Sequence, residues 1–238
     1  MLVHLGKVDL AYLAMERGLF AAEQSDDVLR KSALTGWLSW VLLHQAGSSG
    51  DAKYIAVREA DSIEPRMKGA RPEEVSVWGS LLISAAVAAA RDNDAGEADD
   101  LINLAEVAAT RLDGMGYSPR MYNQSPFGLP LLIMQTVDIA VVTGRPGRAL
   151  TVAEKMPPND MQLASTARHL ADKAFAYTEL GKVRQAEEML YAIRRQASNW
   201  MRYQSYPRVI VAELWEREKR ARSAGLRELA EWLRVPLN

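Results

Sequence analysis

One spacing recurs five times along this chain and constrains its fold more than any other feature. Each time, a residue suited to a left-handed turn is followed five positions later by an alanine. The turn residues are Gly6, Gly47, Asn93, Gly144 and Gly181, and the alanines are Ala11, Ala52, Ala98, Ala149 and Ala186. A turn followed by a small helical residue predicts two helices that reverse direction and approach closely. The sequence therefore predicts about five helical hairpins.

The clearest hairpin covers 165–199. Apolar residues recur at helical spacing on both sides of Gly181. Tyr177, Ala186 and Leu190 lie where a tetratricopeptide repeat has an aromatic, a small and a large contact residue, and the hairpin has the length of one such repeat, about 34 residues. The alternative is an antiparallel helix pair of no particular repeat class.

Intervals between successive turn residues range from 37 to 51 residues, so the helices are longer than in the minimal repeat. We expect an all-α chain: a right-handed tetratricopeptide-like superhelix of about five helical hairpins plus a capping helix, forming one domain over 1–238. Residues 2–23 match only the second half of a hairpin. This favours a longer parent protein with a further N-terminal module; the alternative is a self-contained chain whose N-terminus packs differently.

Charge and composition exclude several classes of protein. The chain has 29 basic and 30 acidic residues, so we expect no DNA affinity of its own. It has no cysteine, which fits a cytoplasmic protein and rules out disulfides and cysteine ligands. The longest apolar runs, such as Leu81–Ala90, are too short to span a bilayer, so we expect no membrane contact.

No pattern in the sequence indicates catalysis. The histidines His4, His44 and His169 lie far apart on different predicted helices, without metal-ligand spacing. There is no Gly-x-Ser-x-Gly elbow and no phosphate-binding glycine loop with a lysine. Paired carboxylates such as Asp99-Asp100 fall on helix faces, where they are usually solvated. We therefore expect neither an enzyme nor a cofactor.

Three stretches resemble the C-terminal tetratricopeptide-like sensor region of actinobacterial Xre-type helix-turn-helix transcriptional regulators. They read LGKVDLAYLAMERGLFAAEQS, SPFGLPLLIMQTVDIAVVTGRPGRAL, and WMRYQSYPRVIVAEL followed by AGLRELAEWLRV. Phe127 and Gly128 match that family's Phe-Gly pair, whereas Leu129 to Leu131 depart from the residues that usually follow it. The resemblance implies a sensing region whose DNA contacts belong to a missing N-terminal module.

In a repeat of this kind, the first helix of each hairpin lines the concave face. Counting back from the turns gives most of a candidate ligand-binding set. Tyr122 and Phe127 are added because the long irregular stretch at 114–125 could close over the groove. The set comprises Trp37, Val41, His44, Ile83, Val87, Tyr122, Phe127, Met134, Asp138 and Phe175. The set is mostly apolar, with His44 and Asp138 as isolated polar points, which is typical of small-molecule sites. The alternative is a tightly wound superhelix whose centre these side chains fill.

Two functions are open. The first, which the resemblance implies, is ligand sensing and oligomerisation in a transcriptional regulator, with a small apolar molecule or a peptide in the groove. The second is a tetratricopeptide scaffold for peptides or proteins, without a small ligand. Large rings near the C-terminus, at Trp200, Tyr203, Tyr206 and Trp215, favour a homodimer, with packing inside one chain as an equal alternative.

Overall fold

A computed structural model describes residues 2–3, 7–65, 69–115, 127–157, 162–217 and 223–236. These residues form twelve α-helices and, within those ranges, no strand. The all-α prediction is thus confirmed. The helices are α1 (Val8–Gln24), α2 (Val28–Leu42), α3 (Ser49–Ser62), α4 (Pro72–Arg91), α5 (Ala95–Gly114), α6 (Leu129–Val142), α7 (Pro146–Ala153), α8 (Leu163–Glu179), α9 (Val183–Gln196), α10 (Ser198–Tyr203), α11 (Tyr206–Arg217) and α12 (Ala224–Leu233).

The repeated spacing has a structural counterpart. Four of the five predicted turn residues have positive φ, namely Gly47, Asn93, Gly144 and Gly181; Gly6 lies outside the described residues. All five alanines that follow these turns are buried, with at most 5% of their surface exposed. The left-handed turn ends one helix, and the buried alanine lets the next helix approach its neighbours. The turns and the buried alanines predicted from the sequence are thus confirmed at these positions.

The chain divides into two compact units, Met1–Thr143 and Gly144–Asn238, which are described separately. The boundary coincides with the turn at Gly144, inside the fourth predicted hairpin. The expectation of one domain over 1–238 stays a prediction.

In the first unit, side-chain contacts show which way neighbouring helices run. Between α2 and α3, Ser39 Oγ donates to the Ala52 carbonyl at 2.9 Å, and Ser32 Oγ donates to Glu59 at 2.6 Å. Residue numbers rise on one helix as they fall on the other, so these two helices are antiparallel.

Between α4 and α6 the numbers rise together. The Phe127 ring, just before α6, lies against Gly79, and Asp138 bonds Arg91. These two helices therefore run in parallel, as the first helices of successive hairpins do in a solenoid.

Helix α4 is the centre of the first unit. Trp78, Leu81 and the run Ala85–Ala90 include its most deeply buried residues, which pack against α3, α5 and α6. Among the described residues, α4 is the one helix long and apolar enough to cross a membrane, but 78% of its apolar window is buried inside the protein. Its apolar composition therefore serves the core.

The second unit repeats the parallel arrangement. Arg168 lies over the Tyr206 ring at 4.5 Å, and Arg217 approaches the Thr178 carbonyl at 3.4 Å, so α8 and α11 run in the same direction. Their core contains Leu190, Ile193, Met201, Ile210 and Leu214, together with the apolar face of α12.

Two local features concern the start of α2 and the short helix α10. Asp27 caps α2 by accepting a hydrogen bond from the Arg30 amide at 3.0 Å. The preceding residue, Asp26, has φ 52 and belongs to the turn before the helix. The short helix α10 was not predicted; it turns the chain between α9 and α11 and buries Met201.

Candidate functional site

Most predicted groove residues belong to the packed interior. Val41, Ile83, Val87 and Met134 are all buried. Ile83 and Val87 are part of the core cluster around α4, whereas Val41 packs with Ala11 and Val3. This burial agrees with the alternative in which the centre is filled by side chains. Ligand contact by these four residues stays a prediction.

Asp138 is not the isolated polar point that the sequence indicated. It is 4% exposed, and both of its oxygens accept from Arg91 Nη2, at 3.2 and 2.8 Å. Arg91 also donates from Nη1 to the Val87 carbonyl at 3.2 Å, which holds the guanidinium against the end of its own helix. Arg91 lies 47 residues before Asp138 in the sequence, so no local pattern reveals the pair. The pair joins α4 to α6.

The accessible part of the predicted site is an aromatic row at the carboxyl end of α2. Trp37 is 47% exposed and meets Trp40 edge-on, with ring centroids 6.2 Å apart. Trp40 in turn contacts the exposed His44 ring at 4.6 Å. His44 Nδ1 lies 2.9 Å from the Trp40 carbonyl, so it donates, and Nε2 is the ring nitrogen left to face a ligand or solvent. We call Trp37, Trp40 and His44 the α2 ring row.

Phe127 lies in the core. Its ring is fully buried, and a Cβ built on Gly79 would come within 2.4 Å of two ring carbons. Glycine at position 79 therefore makes room for the ring, which fixes the start of α6 against α4. Tyr122, predicted to close over the groove, lies outside the described residues, as does Tyr117.

Phe175 belongs to the second unit and is partly buried. Its ring lies 6.1 Å from Tyr206, at an interplanar angle of 33°. Arg168 covers the same tyrosine and also holds the fully buried Asp172 through Nε at 3.1 Å. Phe175 is therefore a packing residue between α8 and α11.

A cavity of about 300 Å³ lies between α3 and α5, on the returning helices instead of the predicted groove. It is lined by Lys53, Tyr54, Val57, Arg58, Asp61 and Glu97. Lys53 donates to Glu97 at 2.6 Å, and this hydrogen bond raises the pKa of the lysine above its usual value. Tyr54 is largely exposed and has Arg58 near its ring. Sequence reasoning missed this cavity because its residues are the ordinary polar face of an amphipathic helix.

His169 is a buried histidine whose pKa lies far below the usual value of 6.5. It is buried on α8, and its Nδ1 has no hydrogen-bond partner within the described part of the chain. Burial, followed by the nearby positive charge of Lys173, lowers the pKa of His169 to about 4. It is therefore neutral near pH 7. Within the described ranges, no three His, Asp or Glu side chains are grouped as metal ligands.

Comparison with known proteins adds no further constraint: no family model, curated protein or solved structure matches this chain.

Proposed function

We propose that this chain is the ligand-sensing and oligomerisation region of a transcriptional regulator, built as a right-handed tetratricopeptide-like superhelix. The recurring turns, the buried alanines and the parallel pairs α4–α6 and α8–α11 support a stack of hairpins. The regulatory role is supported by the resemblance of three sequence stretches to such sensors. On this proposal the protein acts in the cytoplasm, without catalysis, and sequence-specific DNA recognition belongs to a helix-turn-helix module outside this chain.

The α2 ring row is the observation that carries the ligand-binding part. Exposed tryptophan is uncommon unless it has a partner, because aromatic side chains gain most from burial. Here Trp37 stays half-exposed beside an apolar interior, with the polar ring of His44 two side chains away. An apolar surface with one or two placed polar groups suits a small, largely apolar molecule or a short peptide.

Native mass spectrometry of the purified chain tests this. We expect an adduct of small mass on the 26.4 kDa chain when it is purified from its own host. Trp37→Ala should remove the adduct while the protein keeps its helical circular dichroism. Phe20→Ala is the matched control, because Phe20 is also an exposed ring of the first unit but lies on α1. An adduct that persists on Trp37→Ala, or a bare mass for the parent chain, would count against the site.

The cavity between α3 and α5 favours a second candidate, a scaffold that binds peptides. Arg58 places a cation beside the exposed Tyr54 ring, a combination that can hold a carboxylate and an apolar side chain, whereas Lys53 is already paired with Glu97. Retention of acidic peptides that is lost in Arg58→Ala and kept in Trp37→Ala would select this candidate over the sensor.

Homodimerisation belongs to the proposal as well. Of the four C-terminal rings that favoured it, Trp215 is buried, and Trp200 and Tyr206 pack against the core of the second unit; Tyr203 alone is largely exposed. The ring surface open to a second copy is thus smaller than the sequence indicated. Light scattering that shows only about 26 kDa at high concentration would exclude the dimer.

A further inference from the structure

The net charge of −1 conceals two oppositely charged units. Residues 1–143 contain 12 basic and 19 acidic residues, a balance of −7, whereas residues 144–238 contain 17 basic and 11 acidic residues, a balance of +6. Charge asymmetry between parts of a chain is informative about partners even when the total is near zero. The second unit therefore carries a net positive charge that the total for the whole chain does not show.

Part of this positive charge is concentrated around one ring. Trp232 lies under the guanidinium groups of both Arg194 and Arg202, at 5.0 and 4.8 Å from the ring centroid. Arg208 donates from Nε to the Leu233 carbonyl at 3.2 Å and from Nη2 to the Arg202 carbonyl. These contacts bring the ends of α9, α10 and α12 and the start of α11 together. We call Arg194, Arg202, Arg208 and Trp232 the arginine cluster.

Acidic residues neutralise the cluster only in part. Glu228 accepts from Arg194 at 2.6 Å and from the Tyr191 hydroxyl at 3.1 Å, and Glu231 is exposed beside Trp232 on α12. Arg202 makes no ion pair within the described part of the chain and is exposed. In the sequence, 189–212 has four arginines and no acidic residue.

An exposed aromatic plane adjoins the same cluster. Tyr203 follows Arg202 directly and is 77% exposed, the most exposed of the large hydrophobic and aromatic residues in the described part of the chain. It lies in the last turn of α10, whose buried residue Met201 anchors the helix to the core. Arg202, whose guanidinium lies over Trp232, and the solvent-exposed Tyr203 are thus adjacent residues on α10, which Met201 holds against the core.

We propose that this surface binds single-stranded nucleic acid, with the guanidinium groups on phosphodiester oxygens and Tyr203 stacked on a base. Guanidinium forks match phosphate oxygens, and stacking on aromatic rings is independent of base identity. A peptide of acidic residues alone would engage the arginines but would offer no ring to stack on Tyr203, whereas every nucleotide carries both a phosphate and a base. The inference goes beyond the proposed sensor and does not depend on it; it revises the expectation, based on whole-chain balance, that the chain has no nucleic-acid affinity.

Fluorescence anisotropy of the whole chain with a labelled oligothymidylate of about fifteen nucleotides tests this proposal. At about 50 mM salt we expect micromolar binding, with a log–log salt slope of about −2, as expected for about three phosphates. Arg202→Ala should weaken binding by about tenfold and make the slope shallower, because a charged hydrogen bond to phosphate is lost. Tyr203→Ala should weaken binding by about five- to tenfold with the slope unchanged, because stacking carries no charge.

Arg184→Ala is the matched control. Arg184 lies near the start of α9, is highly exposed and makes one long ion pair at 3.9 Å, so its loss removes the same charge away from the cluster. The proposal predicts little change for this variant beyond general electrostatics. Equal losses in Arg184→Ala and Arg202→Ala, or no binding by the parent chain, would overturn it. So would displacement of the oligonucleotide by polyglutamate at equal charge, which would mean an acidic protein partner, or tighter binding to duplex of equal length.

Discussion

Both units bury an aspartate on a first helix, but they hold it in different ways. In the first unit, Asp138 of α6 is held by Arg91 from α4, so the pair connects two hairpins. In the second, Asp172 is held by Arg168 one turn earlier on the same helix α8. There, the buried aspartate takes no direct part in the connection to the next hairpin. Arg168 and Phe175 both contact Tyr206 at one end of α8, and the more exposed Glu179 pairs with Arg217 at the other. An arginine–aspartate pair thus joins two helices in the first unit. In the second unit, the same residue types form a pair within one helix, which orients Arg168 towards the Tyr206 ring.

The repeated spacing of turns and alanines therefore determines where the helices lie, while the contacts between successive hairpins are set by other residues. The spacing from turn to alanine is the same in both units, and each unit has a parallel pair of first helices. Yet α4 and α6 are joined by a buried ion pair and by the fit of Phe127 to Gly79. Helices α8 and α11 are joined by aromatic contacts at their amino ends and by the partly exposed Arg217–Glu179 ion pair at their carboxyl ends.

The largest expected effect comes from removing the cation of the connecting pair. Arg91→Ala leaves the buried Asp138 carboxylate without its guanidinium, which should lower the free energy of unfolding by about 3–5 kcal/mol. Urea unfolding followed by circular dichroism measures this change. The double variant Arg91→Ala/Asp138→Ala should recover part of the loss, because no buried charge is then left. A double variant as unstable as the sum of the two single variants would show that the pair does not connect the helices.

Hydrogen exchange sharpens the comparison between the units. Arg91→Ala should accelerate amide exchange in both α4 and α6, because the pair joins them. Arg168→Ala should act first on α8, which carries both members of its pair. If Arg91→Ala accelerates amide exchange in α4 alone, both pairs act within one helix, which would contradict the difference between the two units.

A methyl group at Gly79 should have the next largest effect. Its Cβ would overlap the buried Phe127 ring, so Gly79→Ala should destabilise the first unit by about 2–3 kcal/mol. Gly36→Ala is the control on α2, where the nearest atom would lie at 3.5 Å, an ordinary contact. Alanine favours helix over glycine, so the control should be neutral or stabilising by up to about 1 kcal/mol. Equal stability of the two variants in thermal unfolding would contradict the fit of Phe127 to this glycine.

Acid should affect the second unit selectively through His169. Its folded-state pKa of about 4 lies below the ordinary value of 6.5, so the unfolded chain binds more protons between these values. The contribution of His169 to the free energy of unfolding is therefore fully present above pH 6.5. It decreases as the pH falls towards 4, by about 2 kcal/mol between pH 7 and pH 5. His169→Phe should flatten this dependence, and His44→Gln, which removes an exposed histidine, should leave it in place. An unchanged pH profile for His169→Phe would assign the effect to other groups.

The elements that local sequence determines were predicted best. Gly47, Asn93 and Gly181 were identified as turns because left-handed φ favours few residue types, and Ala52 and Ala186 because close packing requires small side chains. The Arg91–Asp138 pair and the arginine cluster were not predicted. They depend on which residues distant in sequence meet, and whole-chain charge averages over the two units.

The most direct test of the repeat architecture uses the absence of cysteine in this chain. A Cβ built on Gly36 of α2 lies 3.7 Å from Ser84 Oγ of α4, so the two residues face each other. Their Cβ atoms are at most about 5 Å apart, close to the separation that a disulfide requires. We predict that Gly36→Cys/Ser84→Cys oxidises to a form lighter by two hydrogens in intact-mass analysis, with native circular dichroism. Gly36→Cys/Ser76→Cys, displaced by about 12 Å along α4, should stay reduced. If the first pair stays reduced while both thiols are accessible to alkylation, or if both pairs oxidise equally, the stacking of first helices is contradicted.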